Sequence, residues 1–258
     1  MLFTEVMFVG VSLSAGKHLL QYAVLNNRLK IQALEEGDME SVLALIAGLE
    51  APMVAIGAPQ APNQGLMTKS RVRRRYNLRP EGKTWANWRV CEYELRQRNI
   101  RLYNTPKKKS EAPTWVQHGF DLYKRLGEID FKISESNRPL KPRELLEVQS
   151  HACYTVLLER RPFLKKTLEG RAQRQLILHL EGLAIPDPMP SISSIQQDHL
   201  LSGHLPLEEL HSSRELDALV NAYTAYLAAV KPERVSQVGD SDEGLIFLPT
   251  MSLKSFYI

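Results

Sequence analysis

The first sixty residues alternate between short apolar runs and polar breaks in a way that predicts four elements. Residues 6–11 form a continuous apolar run, which is typical of a central strand buried on both faces. Residues 18–25 and 29–34 follow as two further extended segments, separated by Asn26 and Asn27. Because asparagine tolerates the positive φ of tight turns, the pair predicts a β-hairpin.

A helix and another strand complete this opening. Asp38 is a good N-cap. Apolar residues then recur at the spacing of one helix face, at Met39, Val42, Leu43, Ile46 and Leu49. Pro52 is expected to end the helix, and residues 53–56 form a second buried strand. The order is therefore strand, hairpin, helix, strand.

The same patterns predict the later elements. Helices are expected over residues 84–99, 114–127, 151–160, 167–181 and 206–230. Strands are expected over residues 145–148 and 244–249, and loops or extended chain over residues 106–110 and 186–190. The alternation of strands and helices predicts an α/β protein.

Composition narrows the class of protein without identifying its activity. Hydrophobic residues make up 43% of the 258 positions, which is enough for a sizeable core. No apolar run reaches the roughly 18 residues that cross a bilayer, and no secretory leader pattern is present. Cys91 and Cys153 are far apart and form no CxxC pair, so we expect neither a zinc site nor a disulfide framework. These features predict a cytoplasmic protein that does not bind membranes.

Basic residues are concentrated in one segment of the chain. Residues 69–109 hold fourteen Lys or Arg against three Asp or Glu, a net charge of +11 in a chain whose total is +4. The rest of the chain therefore carries −7. Such segregation is typical of a protein with a polyanionic partner. The alternative is a solvated surface segment whose charges pair elsewhere in the fold.

Arginines in this segment are the candidate nucleic-acid contacts, namely Arg73, Arg74, Arg75, Arg89 and Arg96. Aromatic residues lie among them, at Tyr76, Trp85, Trp88 and Tyr93. Aromatic faces stack on unpaired bases while arginine neutralises phosphates, so the combination predicts binding of single-stranded or structured nucleic acid. Trp85 and Trp88 also have the spacing of a packed i,i+3 pair, and that alternative stays open.

Ordered fragments of the chain resemble the DUF429 family of predicted RNase H-like nucleases. The fragments are Val9-Gly10-Val11, Val54-Ala55-Ile56-Gly57-Ala58-Pro59, Arg89-Val90-Cys91-Glu92, Leu146-Glu147-Val148, Glu169-Gly170-Arg171, Leu216-Asp217-Ala218-Leu219 and Gly244-Leu245-Ile246. The strand–hairpin–helix–strand opening, with an acidic residue on a late helix, is also the order of the RNase H-like fold. The resemblance implies a mixed RNase H-like sheet with helices on both faces. It implies a single domain over residues 1–258, with a basic helical insertion over residues 60–143.

The chain departs from the acidic pattern of this family at several positions. Ser12 and Gly57 stand where the family has aspartates after the first strand and in its Ile-Asp-Ala-Pro element. Ser213 and Arg214 stand where its last motif opens with an acidic pair. The acidic positions that remain are Glu92, Glu147 and Asp217.

These departures bear directly on hydrolysis. Two-metal phosphodiester cleavage needs several carboxylates that hold two cations about 4 Å apart, so Ser12 and Gly57 disfavour it. A one-metal site for magnesium or manganese stays open, with Asp217 and Glu147 as ligands. Asp217, Glu147 and Glu92 are then the candidate catalytic residues. Each has a structural alternative, since Glu92 can pair with arginines, Asp217 with a nearby base, and Glu147 with whatever satisfies it inside an apolar strand.

Three functions are compatible with this sequence. The first is a nuclease-related protein that binds nucleic acid, with an incomplete metal site and doubtful hydrolysis. The second is a non-catalytic interaction or scaffold protein that retains the fold. The third is an enzyme that acts on a small phosphorylated ligand.

Overall fold

The computed structural model of the chain describes residues 6–13, 19–79, 84–134 and 138–258. Strands within these ranges form one mixed sheet. They are β1 (Val6–Ser12), β2 (Leu20–Leu25), β3 (Ile31–Gly37), β4 (Ala51–Ile56), β5 (Lys132–Ile133), β6 (Glu144–Val148), β7 (Ser236–Asp240) and β8 (Gly244–Leu248).

Helices connect and cover these strands. They are α1 (Met39–Gly48), α2 (Ser70–Arg75), α3 (Val90–Gln97), α4 (Thr114–Glu128), α5 (Ser150–Leu157), α6 (Leu168–Leu180), α7 (Pro188–Ser193), α8 (Gln197–Ser202) and α9 (Ser213–Val230). None of the helices in the described ranges is long and apolar enough to cross a membrane.

The sheet order is β3-β2-β1-β4-β6-β8-β7, with β5 paired to β6. β1 runs antiparallel to β2 and parallel to β4, and β6 and β8 continue the parallel direction. The carboxyl ends of β1, β4, β6 and β8 therefore meet at one edge of the sheet. The predicted α/β class and mixed sheet are confirmed, and the order is consistent with an RNase H-like fold.

The predicted hairpin is present, but its turn differs from the expectation. β2 and β3 pair antiparallel around residues 26–30. The Asn26 side chain accepts hydrogen bonds from the backbone N–H groups of Arg28 and Lys30, both at 3.0 Å. The residue with positive φ is Leu29, at 56°. The asparagine therefore stabilises the turn through its side chain, and the left-handed backbone falls three residues later.

Alternate residues of the central strands belong to different core clusters. On β1, Phe8 packs in a cluster that includes residues of α3, α5, α6 and α9. Val9 and Val11 pack in a second cluster that includes residues of α1 and α4. α3 and α4 lie within the predicted basic insertion, so this segment contributes helices to both clusters. The boundaries of the predicted insertion and domain stay predictions.

α9 lies directly against the middle of β1. A Cβ atom at Gly10 would overlap the α9 backbone at Ala218 and Ala222, so this close approach requires a glycine. The contact brings the first turns of α9 next to the carboxyl end of β1. Ser12 and Asp217 are held at the same edge of the sheet as a result.

Several elements differ from the sequence-based expectation. α9 begins only at Ser213, because Ser212 caps it and forms a capping box with Glu215. The segment expected as one helix over residues 84–99 divides into a short 3₁₀ turn, Thr84–Asn87, followed by α3. Pro188 begins α7 rather than lying in a loop, because Asp187 caps the helix and proline suits its first position.

Candidate anion-binding cleft

A cleft of about 540 Å³ opens at the edge of the sheet where β1 and β4 end. Open α/β sheets bind ligands at the carboxyl ends of their strands. Ser12, Gly57 and Asp217 all line this cleft. Ser213 and Arg214 line it as well. Five of the positions singled out by the family resemblance are therefore brought together from distant parts of the sequence.

The space beside Gly57 is filled by another side chain. The amide of Asn221 donates from Nδ2 to the carbonyl of Val11 at 2.9 Å and accepts from the hydroxyl of Ser150 at 2.9 Å. A Cβ atom at residue 57 would lie 2.7 Å from that Nδ2. Asn221 is fully buried, so it cannot swing into solvent. A side chain at residue 57 would therefore require the buried Asn221 amide to move and to strain its two hydrogen bonds.

Asp217 is paired within the protein. Its Oδ2 accepts a hydrogen bond from Nζ of Lys165 at 2.9 Å. The Asp217 side chain is 9% exposed and that of Lys165 is 48% exposed. Burial raises the pKa of Asp217, while Lys165 and Arg174 act in the opposite direction. The carboxylate is therefore neutralised by a lysine that itself reaches the solvent-filled cleft.

Cationic groups dominate the lining of the cleft. Lys165, Lys166 and Arg214 line it, whereas Asp217 is the one acidic residue of that lining in the described ranges. Lys166 is exposed and has no acidic partner among the residues that the structure describes. Arg214 is anchored by hydrogen bonds to the Glu36 side chain and the carbonyl of Leu19. Glu36 and Asp217 offset the charges of Arg214 and Lys165, so it is the charge of Lys166 in the described lining that favours an anion.

His151 also lines the cleft and is an exposed residue. The surrounding protein desolvates the ring, and Arg174, Arg161 and Lys165 add positive charge nearby; together they lower its pKa to about 4. The imidazole is therefore neutral at pH 7. An anion bound beside it would favour the protonated form.

A second cavity of about 580 Å³ adjoins the cleft and shares His151, Lys165 and Asp217 with it. Arg174 holds its wall in place. The guanidinium donates to the carbonyls of Phe163 and Gly170 at 2.9 and 2.7 Å. These bonds fix the segment that carries Lys165 against α6.

Two predicted catalytic acids lie outside the cleft lining, in a buried ion-pair network. Arg89 is fully buried and donates to both oxygens of Glu147, one of them at 3.0 Å. It also donates from Nε to Glu92 at 3.0 Å. The backbone N–H of Gln60 also donates to Glu147, at 3.0 Å. A carboxylate inside an apolar strand needs a partner, and for Glu147 this partner is Arg89.

Glu92 has a local structural role as well. It accepts hydrogen bonds from the backbone N–H of Arg89 at 3.1 Å and from the backbone and hydroxyl of Thr105. The first contact caps α3, and the second ties the following loop to it. The predicted catalytic roles of Glu92 and Glu147 are not supported by these positions. The predicted nucleic-acid contact of Arg89 stays a prediction that this structure does not support, because its guanidinium is inaccessible.

The donor set does not fit a magnesium or manganese ion. Within the described ranges no three His, Cys, Asp or Glu side chains are grouped as metal ligands. Asp217 is paired with Lys165, Glu147 and Glu92 are paired with Arg89, and Ser12 and Gly57 supply no carboxylate. A hard divalent cation needs several anionic oxygens, and the described cleft lining offers one.

The other predicted nucleic-acid contacts are placed away from the cleft lining. Arg74 is exposed, Arg73 is half-buried, and Arg75 lies 3.4 Å from Glu94. Arg96 stacks over the ring of Trp88 with 4.5 Å to its centroid. These four arginines stay candidate contacts.

The aromatic residues between them are largely packed. Trp88 is 8% exposed, and its indole N–H donates to the carbonyl of Thr84. Trp85, Tyr76 and Tyr93 pack against a small core cluster beside α2. The packing alternative therefore holds for both tryptophans. Trp115 on α4 is the tryptophan that lines the cleft.

Sequence reasoning missed the basic side of the cleft. Lys165, Lys166 and His151 lie outside the charged segment over residues 69–109, and the family resemblance drew attention only to acids. The adjacent Lys165-Lys166 pair, just before the Thr167 cap of α6, was the available signal. The pair becomes part of the site only because α9 packs opposite it in the tertiary structure. The local sequence around Lys165 does not show this packing.

Comparisons with known proteins agree with the family resemblance. The family model described as "Protein of unknown function (DUF429)" matches residues 20–243. No curated protein and no solved structure gives a significant match. The matched range includes Gly57, Lys165 and Asp217 but begins after β1, so Ser12 lies outside it. Because the match covers most of the chain, this protein belongs to the DUF429 family.

Proposed function

We propose that this protein binds nucleic acid in the cleft at the carboxyl ends of β1 and β4, without a divalent metal. One observation carries the proposal: Lys165, Lys166 and Arg214 line the cleft, and its acid Asp217 is already neutralised by Lys165. In this view the acidic site of an RNase H-like nuclease is degenerate, and its place is taken by a cationic surface.

Phosphodiesters suit such a surface. Lysine and arginine form charge-assisted hydrogen bonds with phosphate oxygens, and each neutralised phosphate releases counterions. The hydroxyls of Ser12 and Ser213 in the lining offer further donors. Binding should therefore weaken steeply as salt rises.

Hydrolysis is not expected from this cleft. Metal-assisted cleavage needs carboxylates that hold a cation and activate water. Neither Ser12 nor Gly57 supplies one, and Asn221 blocks the second position. Incubation of a labelled oligonucleotide with Mg²⁺ or Mn²⁺ should leave it intact, and protein-dependent cleavage that disappears in Asp217→Asn would contradict this part of the proposal.

Fluorescence anisotropy with a labelled single-stranded 20-mer, between 50 and 200 mM salt, tests the binding. Lys166→Ala should weaken binding and reduce the log–log salt slope by about 0.7, the value for one phosphate contact on a single strand. Lys124→Ala is the matched control, because that lysine is exposed on α4, lies outside the cleft lining and has Glu128, across 3.7 Å, as its acidic partner in the described part of the chain. Equal effects of the two substitutions, or no binding at 50 mM salt, would reject the cleft as the binding surface.

The size of the cleft supports a second candidate function, a site for a small phosphorylated ligand. A volume of about 540 Å³ lies within the range of small-molecule pockets, about 300 to 1,000 Å³. Affinity that does not increase from a mononucleotide to a 20-mer would favour this candidate. Binding of neither probe would favour the interaction or scaffold role.

A further inference from the structure

The ion pair between Lys165 and Asp217 lies where the family resemblance expects a metal-binding carboxylate. Three features distinguish it from an incidental surface pair. The carboxylate is buried, the Lys165 ammonium is bonded to it at 2.9 Å, and the lysine remains half-exposed at the junction of two cavities. The Lys165 ammonium therefore contacts a buried carboxylate and is also accessible from the cleft.

The lysine is held in this place by its surroundings. Arg174 bonds the carbonyls of Phe163 and Gly170 on either side of it. Thr167, two residues after Lys165, caps α6 by accepting from the N–H of Gly170. The segment between α5 and α6 is thus fixed at both ends, and the entropy cost of placing the long side chain is reduced.

An ammonium group has three N–H donors. One of them is directed to Oδ2 of Asp217. The structure assigns no other protein acceptor to Nζ among the described residues, so two donors are left for solvent or a ligand. Lys166 follows directly and lines the same cleft.

We infer that Lys165 is a built-in replacement for the metal ion: its ammonium neutralises Asp217 and presents positive charge to a phosphate oxygen, so anion binding needs no divalent cation. The statement that Lys165 binds a phosphate oxygen rests on the proposed function. The statement that Lys165 is the counter-ion of Asp217 concerns the protein alone, so the two can be tested separately.

The test removes the ammonium and offers an external cation in its place. Lys165→Met keeps most of the aliphatic stem and leaves Asp217 without its partner. At constant ionic strength, wild-type affinity for the 20-mer should be the same with EDTA and with 5 mM Mn²⁺. Lys165→Met should bind about tenfold more weakly in EDTA, the loss expected for one charge-assisted hydrogen bond. It should regain part of that affinity with Mn²⁺, because the phosphate oxygens of the bound 20-mer supply the further anionic ligands that the cleft lining lacks.

Lys166→Ala is the matched control for this rescue. It also removes a cation from the cleft, but Asp217 keeps its partner, so Mn²⁺ should restore nothing. Lys165→Arg should remain independent of Mn²⁺, because it retains the charge. Equal rescue of Lys165→Met and Lys166→Ala, or a wild-type protein that needs Mn²⁺ to bind, would overturn the inference.

A second measurement uses the protein without nucleic acid. Removing the partner of a buried carboxylate destabilises the folded state. Lys165→Met should therefore lower the urea unfolding midpoint, and Lys165→Met/Asp217→Asn should regain part of the loss, because it no longer carries the unpaired carboxylate. If oligonucleotides do not bind at all, the proposed function fails, and this comparison still decides the counter-ion role. Equal midpoints of the wild type and both variants would reject it.

Discussion

Arg89 and Glu147 form a buried two-pronged ion pair that joins the start of α3 to β6 across 58 residues of sequence. Neither side chain has measurable exposure. The pair fastens the basic segment to the centre of the sheet. Removal of either side chain would leave the charge of the other buried without a partner.

Arg89→Ala should therefore be strongly destabilising. Breaking a buried ion pair by removing one partner costs about 3–5 kcal/mol, and Arg89 serves Glu92 as well as Glu147. The measurement is the free energy of unfolding in urea. Arg125→Ala is the control, because its ion pair with Glu40 is exposed and should matter little. Similar losses for the two variants would show that the network contributes no more than a surface pair.

Restoring the family's aspartates should not restore a metal site. Gly57→Ala is expected to destabilise the protein by about 1–3 kcal/mol, the usual cost of overpacking, because its Cβ meets Asn221. Ser12→Asp/Gly57→Asp should show neither calorimetric Mn²⁺ binding nor nuclease activity. Adding Asn221→Ala should relieve part of the strain. Manganese-dependent cleavage by the double variant would mean that the cleft adapts far more easily than its packing indicates.

Binding of the oligonucleotide should become tighter as the pH falls from 6.5 toward 4. The His151 pKa is about 4 in the free protein, and a bound phosphate raises it, so binding takes up a proton in this range. The groups around the ring are Arg174, Arg161 and Lys165, with Asp217 in the shared cavity.

Anisotropy titrations at pH 7.5 and 5.5 measure this linkage. His151→Gln should reduce the change in affinity between the two pH values. His204→Gln, at an exposed histidine outside the cleft lining, is the control and should retain it. Identical pH profiles for wild type and His151→Gln would remove His151 from the binding surface.

His151 also makes the stability of the free protein depend on pH. The folded pKa lies below the ordinary value of about 6.5, so the unfolded chain takes up the proton first as pH falls. Stability is therefore unaffected by this group above pH 6.5 and declines between 6.5 and 4. The urea midpoint of His151→Gln should fall less over this range than that of the wild type.

Arginines of α2 can be ranked by their partners. Arg74 is exposed and has no acidic partner in the described part of the chain, whereas Arg75 faces Glu94 at 3.4 Å. We expect Arg74→Ala to weaken oligonucleotide binding more than Arg75→Ala. The triple replacement of Arg73, Arg74 and Arg75 by alanine should also flatten the salt dependence. An unchanged slope would exclude α2 from the contact surface.

Helices and strands were predictable where the apolar residues repeat with the period of one type of secondary structure. α4 extends over Thr114–Glu128 against an expectation of 114–127, and β6 over Glu144–Val148 against 145–148. β7 was missed because its sequence, Ser-Gln-Val-Gly-Asp, has no apolar alternation. It is an edge strand with one buried residue, Val238, and so carries little pattern.

The site was predictable only in part, because its ion pairs join residues that are distant in sequence and meet only in the tertiary structure. Ser12 and Gly57 share a cleft because they lie at the ends of the parallel strands β1 and β4, and the packing of α9 on β1 places Asp217 beside them. Lys165 meets Asp217 across 52 residues, and no local spacing links them. Composition likewise showed a basic segment, but could not show that its Arg89 is buried.

The place of β1 in the sheet has a practical consequence for anyone who shortens this chain. The family match spans residues 20–243, yet β1 lies between β2 and β4 and carries the contact with α9, and β8 begins at Gly244. A fragment cut to the matched range would lose a central strand and expose the hydrogen-bonding edges of two others. The matched range is therefore shorter than the sheet to which it belongs, and an expressed fragment should begin upstream of Val6.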